Sequence, residues 1–115
     1  MIFLHYANCS TCKKARAWLR DNAISVTERP IVDEPPSKAE LGKWIPASGL
    51  PIRKWLNTSG QSYRAIGKVK IDAMSDAQLI EALAKDGKLV KRPVLVDGNR
   101  VFVGFDPERY EKLKN

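Results

Sequence analysis

Cys9 and Cys12 are the only two cysteines of the chain, and two residues separate them. Disulfide exchange needs a thiolate that attacks and a second thiol near enough to resolve the mixed disulfide, and this spacing supplies both. A bond between residues three apart would close a tiny loop and restrain little of the unfolded chain, so stability is a poor reason for the pair. A closed zinc site takes four ligands, and the one histidine, His5, falls upstream in a predicted strand, so no metal site is expected. Cys9 lies in the polar segment Ala7-Asn8-Cys9-Ser10-Thr11, just before a helical pattern. Amides and the dipole at the mouth of that helix would stabilise a Cys9 thiolate, lowering its pKa from ~8.5 into a range of roughly 3.5 to 7.5. Cys9 is therefore the expected nucleophile. Cys12, in the first helical turn and facing back toward it, is the expected resolving thiol of a redox-active disulfide. Lys13 and Lys14 either add positive charge nearby or are simply solvated. The plainer alternative is that two small residues share a loop, but free cysteines are usually buried and these follow a strand in a polar segment.

The elements that must hold this pair are legible on both sides. Ile2 to Tyr6 is a short apolar run that reads as a strand. From Cys12 to Asn22, residues Ala15, Trp18 and Leu19 share one face while Lys13, Lys14, Arg16, Arg20 and Asp21 cover the rest, so this helix packs on a sheet by one side. Ser25 to Val32 suits a second strand, ending before Glu34-Pro35-Pro36. Strand, helix and strand in this order imply a parallel pair.

The middle of the chain is helical. Ser37-Lys38-Ala39-Glu40 has the spacing of a capping box, and Leu41, Trp44 and Ile45 form an apolar stripe. Pro46 removes a backbone donor, so this helix is expected to be short, and Gly49 to terminate it. Ile52 to Leu56 forms another brief helix, and Asn57-Thr58-Ser59-Gly60 reads as a turn, without the lysine that a phosphate cradle carries. A second capping box, Ser75-Asp76-Ala77-Gln78, opens a helix expected to reach Lys85 and stop at Gly87. Trp18, Trp44 and Trp55 fall at amphipathic positions and read as packing residues, and His5 as a strand histidine rather than a general base.

Val94 to Val96 and Val101 to Val103 spell an antiparallel hairpin across Asp97-Gly98. Asp106 is a natural N-cap for a last helix with Pro107 in its first position. Ahead of the hairpin stands Arg92-Pro93, where a proline admits a cis peptide beside the reactive loop and Arg92 could bring a guanidinium to an anionic substrate or to the Cys9 thiolate. An ordinary trans proline with a surface arginine is the alternative favoured by frequency, since cis forms are ~5% of X-Pro bonds. The order βαβ, helices, ββα is that of an α/β thioredoxin-like mixed sheet with an inserted helical subdomain. One domain spanning 1–115 is expected, its core at about 1–34 and 88–115 and the insertion at about 35–87.

At 115 residues the chain can bury one core, and a net charge of +7 would suit an acidic partner or an anionic substrate. Its basic residues are spread from Lys13 to Lys114 among acids, with no aromatic-flanked basic motif, so direct nucleic-acid binding is not expected. No apolar run is long enough for a membrane span, and Met1-Ile2-Phe3-Leu4-His5 has neither a basic leader nor a cleavage site. A cytoplasmic monomer is the expectation.

With Cys9-Ser10-Thr11-Cys12-Lys13-Lys14-Ala15-Arg16-Ala17-Trp18-Leu19 and Lys91-Arg92-Pro93-Val94 in view, the sequence resembles the arsenate reductase (ArsC) and Spx family, in particular its short, CxxC-containing Spx/MgsR-like members. Glu28-Arg29, Glu34-Pro35-Pro36-Ser37, Asn57-Thr58-Ser59-Gly60 and Gly104-Phe105 extend the likeness from Met1 to about Leu113. The resemblance implies the thioredoxin-like fold with its helical insertion, a cis proline at Pro93, and Cys9 at the position of the reductases' catalytic cysteine. No bound cofactor is expected in this chain. The reductases form a thiol-arsenate adduct with the help of several arginines and draw electrons from glutathione through glutaredoxin, or from other thiols such as thioredoxin. Arg92 matches one of these arginines, whereas Asn57 and Phe105 stand where two others are found, which counts against arsenate as substrate. The Spx branch uses the CxxC as a redox switch and binds the RNA polymerase α subunit. Cys9, Cys12 and Arg92 fit that branch, but the chain ends at Asn115, without its longer tail. The first expectation is therefore a thiol:disulfide oxidoreductase or reductase acting on a thiol donor or protein disulfide. A redox-switched regulator comes second and arsenate reduction third.

Overall fold

The fold is described from a computed structural model covering residues 1–114; Asn115, the end of the expected carboxy-terminal half, lies outside them. Four strands, β1 (Ile2–His5), β2 (Thr27–Pro30), β3 (Val94–Asp97) and β4 (Arg100–Val103), form one sheet in the order β2-β1-β3-β4. β1 runs parallel to β2 and antiparallel to β3, and β3 and β4 form the hairpin. Helix α1 (Ser10–Asp21) makes the crossover that the parallel pair requires. This is the mixed α/β, thioredoxin-like arrangement expected from the element order.

Alternation along the strands divides the core between the two faces of the sheet. Leu4, Val94, Val96, Val101 and Val103 face a cluster that holds Leu41 and Trp44 of α2 (Lys38–Ser48) and Leu79 and Leu83 of α5 (Asp76–Lys85). Phe3, Leu95 and Phe102 face the other way, onto Ala15 and Leu19 of α1, Tyr110 of α6 (Pro107–Tyr110) and Leu113. With both faces covered, β3 and β4 read as continuous apolar runs. Each such side chain taken out of water contributes roughly 1.5–3 kcal/mol. β2 is an edge strand, mostly exposed, and narrower than Ser25 to Val32. Arg29 ties it to α2 through two hydrogen bonds to Glu40 at 2.8 and 2.9 Å, so this arginine is an architectural clamp.

The two capping boxes form as the sequence predicts, Ser37 with Glu40 and Ser75 with Gln78, and Asp106 caps α6 with Pro107 in its first turn. Three local expectations are corrected. α2 is not cut short by Pro46: it continues through it to Ser48, and stops as expected at Gly49, which takes the left-handed conformation at φ 70°. Pro46 sits so near the carboxy end that it costs one intrahelical bond, and Ser48 closes the end of the helix beyond it. Its hydroxyl donates to Ile45 O at 2.6 Å and accepts from Leu50 N and Trp55 Nε1, each at 3.2 Å. The hairpin loop is Gly98-Asn99, because Asp97 pairs with Arg100. The region around Tyr63 also holds two short helices, α3 (Gln61–Ile66) and α4 (Lys68–Asp72).

Gly87 is the third correction. α5 ends at Lys85, and Gly87 opens a buried 3-10 turn instead of capping the helix. Its constraint is a close approach of two backbones: a Cβ there would lie 1.9 Å from Ile31 O and 2.9 Å from Val32 Cα. Gly87→Ala should therefore destabilise the fold by about 3 kcal/mol, read as a lower urea midpoint, since neither backbone has room to retreat.

Candidate functional site

Antiparallel pairing of β1 with β3 sets Leu4 opposite Val94, so the segment leaving β1 and the segment entering β3 share one edge of the sheet. The first carries Cys9 and the second Arg92 and Pro93. Val94 is also opposite Val103, and Gly104 N donates to Pro93 O at 2.8 Å, which brings the exit of β4 to the same edge. A fourth segment is laced in from the helical middle: Leu56 bridges Val90, Asn57 N donates to Leu89 O at 2.8 Å, and Lys91 N to Trp55 O at 2.7 Å. The Arg92–Pro93 peptide between these anchors is cis.

Cys9 is the N-cap of α1. Its backbone is extended (φ −98°, ψ 117°), its amide donates to Tyr6 O at 3.1 Å, and its Sγ accepts the Cys12 amide at 3.3 Å. A sulfur here stands where serine or aspartate usually caps a helix, and the positive end of the helix favours its anion. Cys9 is half-buried whereas Cys12 is only 3% exposed, and both are free thiols.

Their protonation is pushed in opposite directions. Burial raises the Cys9 thiol, but the Cys12 thiol and amide together with the Arg92 guanidinium outweigh it and hold Cys9 below its ordinary value of 9.0. Burial, followed by the hydrogen bond to the Cys9 sulfur, pushes Cys12 up to about 12. Arg92 is held in place by the face of Tyr6, 4.7 Å from its guanidinium carbon, and by Lys88 O at 3.4 Å. Among the described residues no carboxylate pairs with Arg92.

The outer side of Cys9 opens on a cleft of about 580 Å³. Asn8, Ser10 and Thr11 line it beside the sulfur, Asn57, Ser59 and Gly60 form one wall, and Lys91, Arg92 and Arg109 bring three cations to it. Asp106, the single acid at its rim among the described residues, is engaged in capping Glu108 N at 3.0 Å. Arg92 was legible beside Pro93 in the sequence. Lys91, Arg109 and Tyr6 were missed, because nothing local marks them: Arg109 reaches the cleft from α6, and Tyr6 is a strand-end aromatic whose ring happens to lie under Arg92. Asn57 to Gly60 is a turn, as expected, closed by Gly60 N donating to Asn57 O at 3.2 Å, but a turn that borders the cleft. Lys13 and Lys14 are exposed and do not line the cleft. Among the described residues no cluster of three or more His, Cys, Asp or Glu could hold a metal ion, and no helix is long and apolar enough to cross a membrane.

Comparison with known proteins agrees with this arrangement. The chain is 42% identical to Bacillus subtilis YusI, covering 97% of this chain and 96% of that protein, and 29% identical to the Bacillus subtilis regulatory protein MgsR, covering 98% and 89%. Among solved structures, an ArsC family related protein from Bacteroides fragilis superposes with a TM-score of 0.94 at 50% identity, covering 97% of this chain and 95% of its own. A protein from Streptococcus mutans, described as a possible arsenate reductase, gives a TM-score of 0.87 at 40% identity, covering 99% and 97%. Residues 4–113 match the profile of the ArsC family. With the Cys9-x-x-Cys12 pair at the mouth of α1 and a thioredoxin-like sheet behind it, this chain belongs to the ArsC family.

Proposed function

We propose that this protein is a thiol:disulfide oxidoreductase or reductase in which Cys9 attacks, Cys12 resolves and Arg92 binds or stabilises an anionic group. The observation that carries the reading is the split environment of the pair. The Cys9 sulfur is held by an amide at the helix mouth and open to a cleft, while Cys12 is buried behind it with its proton retained. In the first step the Cys9 thiolate forms a bond to one sulfur of a disulfide, and the other sulfur leaves with the electron pair and takes a proton from water. Cys12 then bonds to Cys9 Sγ, displacing the second substrate thiol and leaving a Cys9–Cys12 disulfide. An external thiol donor, glutathione or a thioredoxin or glutaredoxin, returns the two electrons.

Lys91, Arg92 and Arg109 favour substrates with negative charge close to the reacting sulfur. In this reading the core, about 1–34 and 88–115, carries the chemistry, and the helical segment 35–87 supplies the cleft wall at Asn57 to Gly60. A second reading, a redox switch that binds the RNA polymerase α subunit, draws on the likeness to the regulatory protein MgsR. The same three cations also keep arsenate within the test.

Alkylation of Cys9 by iodoacetamide across a pH series should follow a thiol that ionises below 9.0, and Arg92→Ala should move the midpoint upward. A midpoint that stays at the free-thiol value in the unaltered protein removes Cys9 as nucleophile. Disulfide and arsenate turnover with glutathione as donor should vanish in Cys9→Ser, with the disulfide as the better substrate. The same preparations, reduced and oxidised, are then offered to the RNA polymerase α subunit. Turnover without capture ends the regulatory reading, and capture without turnover ends the enzymatic one.

A further inference from the structure

Cys12 borders a second, smaller chamber of about 70 Å³, lined by His5, Tyr6, Ala7, Cys12, Lys13 and Arg16. It shares no lining residue with the cleft on which Cys9 opens. Its volume admits a water molecule, which occupies ~30 Å³ in the liquid. β1 brings His5 to it, α1 brings Cys12 and Arg16 one turn apart on one face, and β2 brings Glu28 beside them. His5 is stacked on Phe3, ring centroids 5.5 Å apart, with Nε2 3.8 Å from Glu28 Oε1. Glu28 is in turn held by Arg16, from Nε at 2.6 Å and Nη2 at 2.9 Å.

The need for such a group follows from the proposed sequence of steps, on which this inference rests. In the reduced protein the Cys12 thiol keeps its proton and donates a hydrogen bond to the Cys9 sulfur. Once Cys9 is bonded to substrate sulfur that anionic acceptor is gone. Cys12, only 3% exposed, must still lose its proton to attack. The cleft side is then filled by substrate, and the chamber gives a separate approach to Cys12.

We propose that His5, through water in this chamber, accepts the Cys12 proton during resolution, and that Glu28 holds the imidazolium so formed. The Cys12 S–H bond breaks as the Cys9–Cys12 bond forms, the electron pair of the mixed disulfide departs with the substrate sulfur, and the proton resides on His5 until solvent removes it. His5 is thus a positioning residue that acts through water, whereas the sequence by itself makes it a strand histidine. The charged and titratable groups facing it are Glu28 from β2, Cys12, Lys13 and Arg16 from α1, and Tyr6 beyond the end of its own strand, whose ring also carries Arg92.

The test is a stopped-flow reaction of the reduced full chain with the chromogenic disulfide dithiobis-nitrobenzoate. Attack by Cys9 releases one equivalent of chromophore and resolution by Cys12 a second. In the unaltered protein the second phase should show an inflection in the imidazole range, between about pH 5 and 8. His5→Asn should slow that phase about 100-fold at neutral pH and erase the inflection, while retention of the first phase shows that fold and Cys9 are intact. An unchanged second-phase rate and profile in His5→Asn overturns the role of His5 and leaves the cysteine pair standing. A second equivalent missing from the unaltered protein brings down both the pair and this inference. Should His5→Asn fail to fold, His5→Gln decides by the same two readouts, and an unchanged second phase in that variant overturns the proposal.

Discussion

Everything at the site depends on the antiparallel pairing of β1 with β3. Leu4 opposite Val94 brings the end of the first strand to the start of the third, and with them two segments that lie far apart in the chain. Both strands are central, covered on each face, so opening them would expose both halves of the core at once. The cysteine-bearing loop and the Arg92–Pro93 lead are therefore anchored to the part of the sheet hardest to disturb. The helical middle is tied to the same place through Leu56, Asn57 and Trp55, so one wall of the cleft is set by contacts to the lead into β3.

The asymmetry of the two thiols follows from a small displacement at one helix end. Cys9, at the N-cap, keeps a half-exposed sulfur with an amide on one side and the cleft on the other. Cys12, inside the first turn, has its side chain carried toward the sheet. A shared proton between them favours the anion on the outer sulfur and penalises it on the inner one. The pair thus behaves as one titrating system in which the outer sulfur is the one that carries the anion. The surrounding cations strengthen this ordering, since Arg92 is close to Cys9 and lacks a carboxylate partner among the described residues.

The family resemblance is distributed over residues that do different work. Arg29 clamps the edge strand to α2, Glu28 links Arg16 to His5, and Asn57 to Gly60 borders the cleft. Only Cys9, Cys12 and Arg92 touch the proposed chemistry directly. Arg109 illustrates why positional comparison of arginines is incomplete: Phe105 stands at the expected position, yet a guanidinium reaches the same cleft from the following helix. Charge at a cleft is a property of where side-chain ends arrive, and long side chains arrive from several backbone positions.

Features that are satisfied within a few residues were legible in the sequence alone. Both capping boxes, the Asp106–Pro107 helix start, the Cys9 position before α1 and the alternating strands all follow from hydrogen bonds or periodicities that close locally. Pro46 and Gly87 defeated local reading for one reason. Ser48 closes the helix end beyond Pro46 by reaching Ile45 O and Trp55 Nε1, and the backbone of Ile31 and Val32 presses on Gly87. The sequence by itself determined the pair, its helix mouth and the element order. Tertiary structure alone decided that Tyr6, Lys91 and Arg109 join Arg92, and that His5, with Glu28 beside it, shares a chamber with Cys12, because proximity across a sheet depends on strand order and register, which no short stretch of chain encodes.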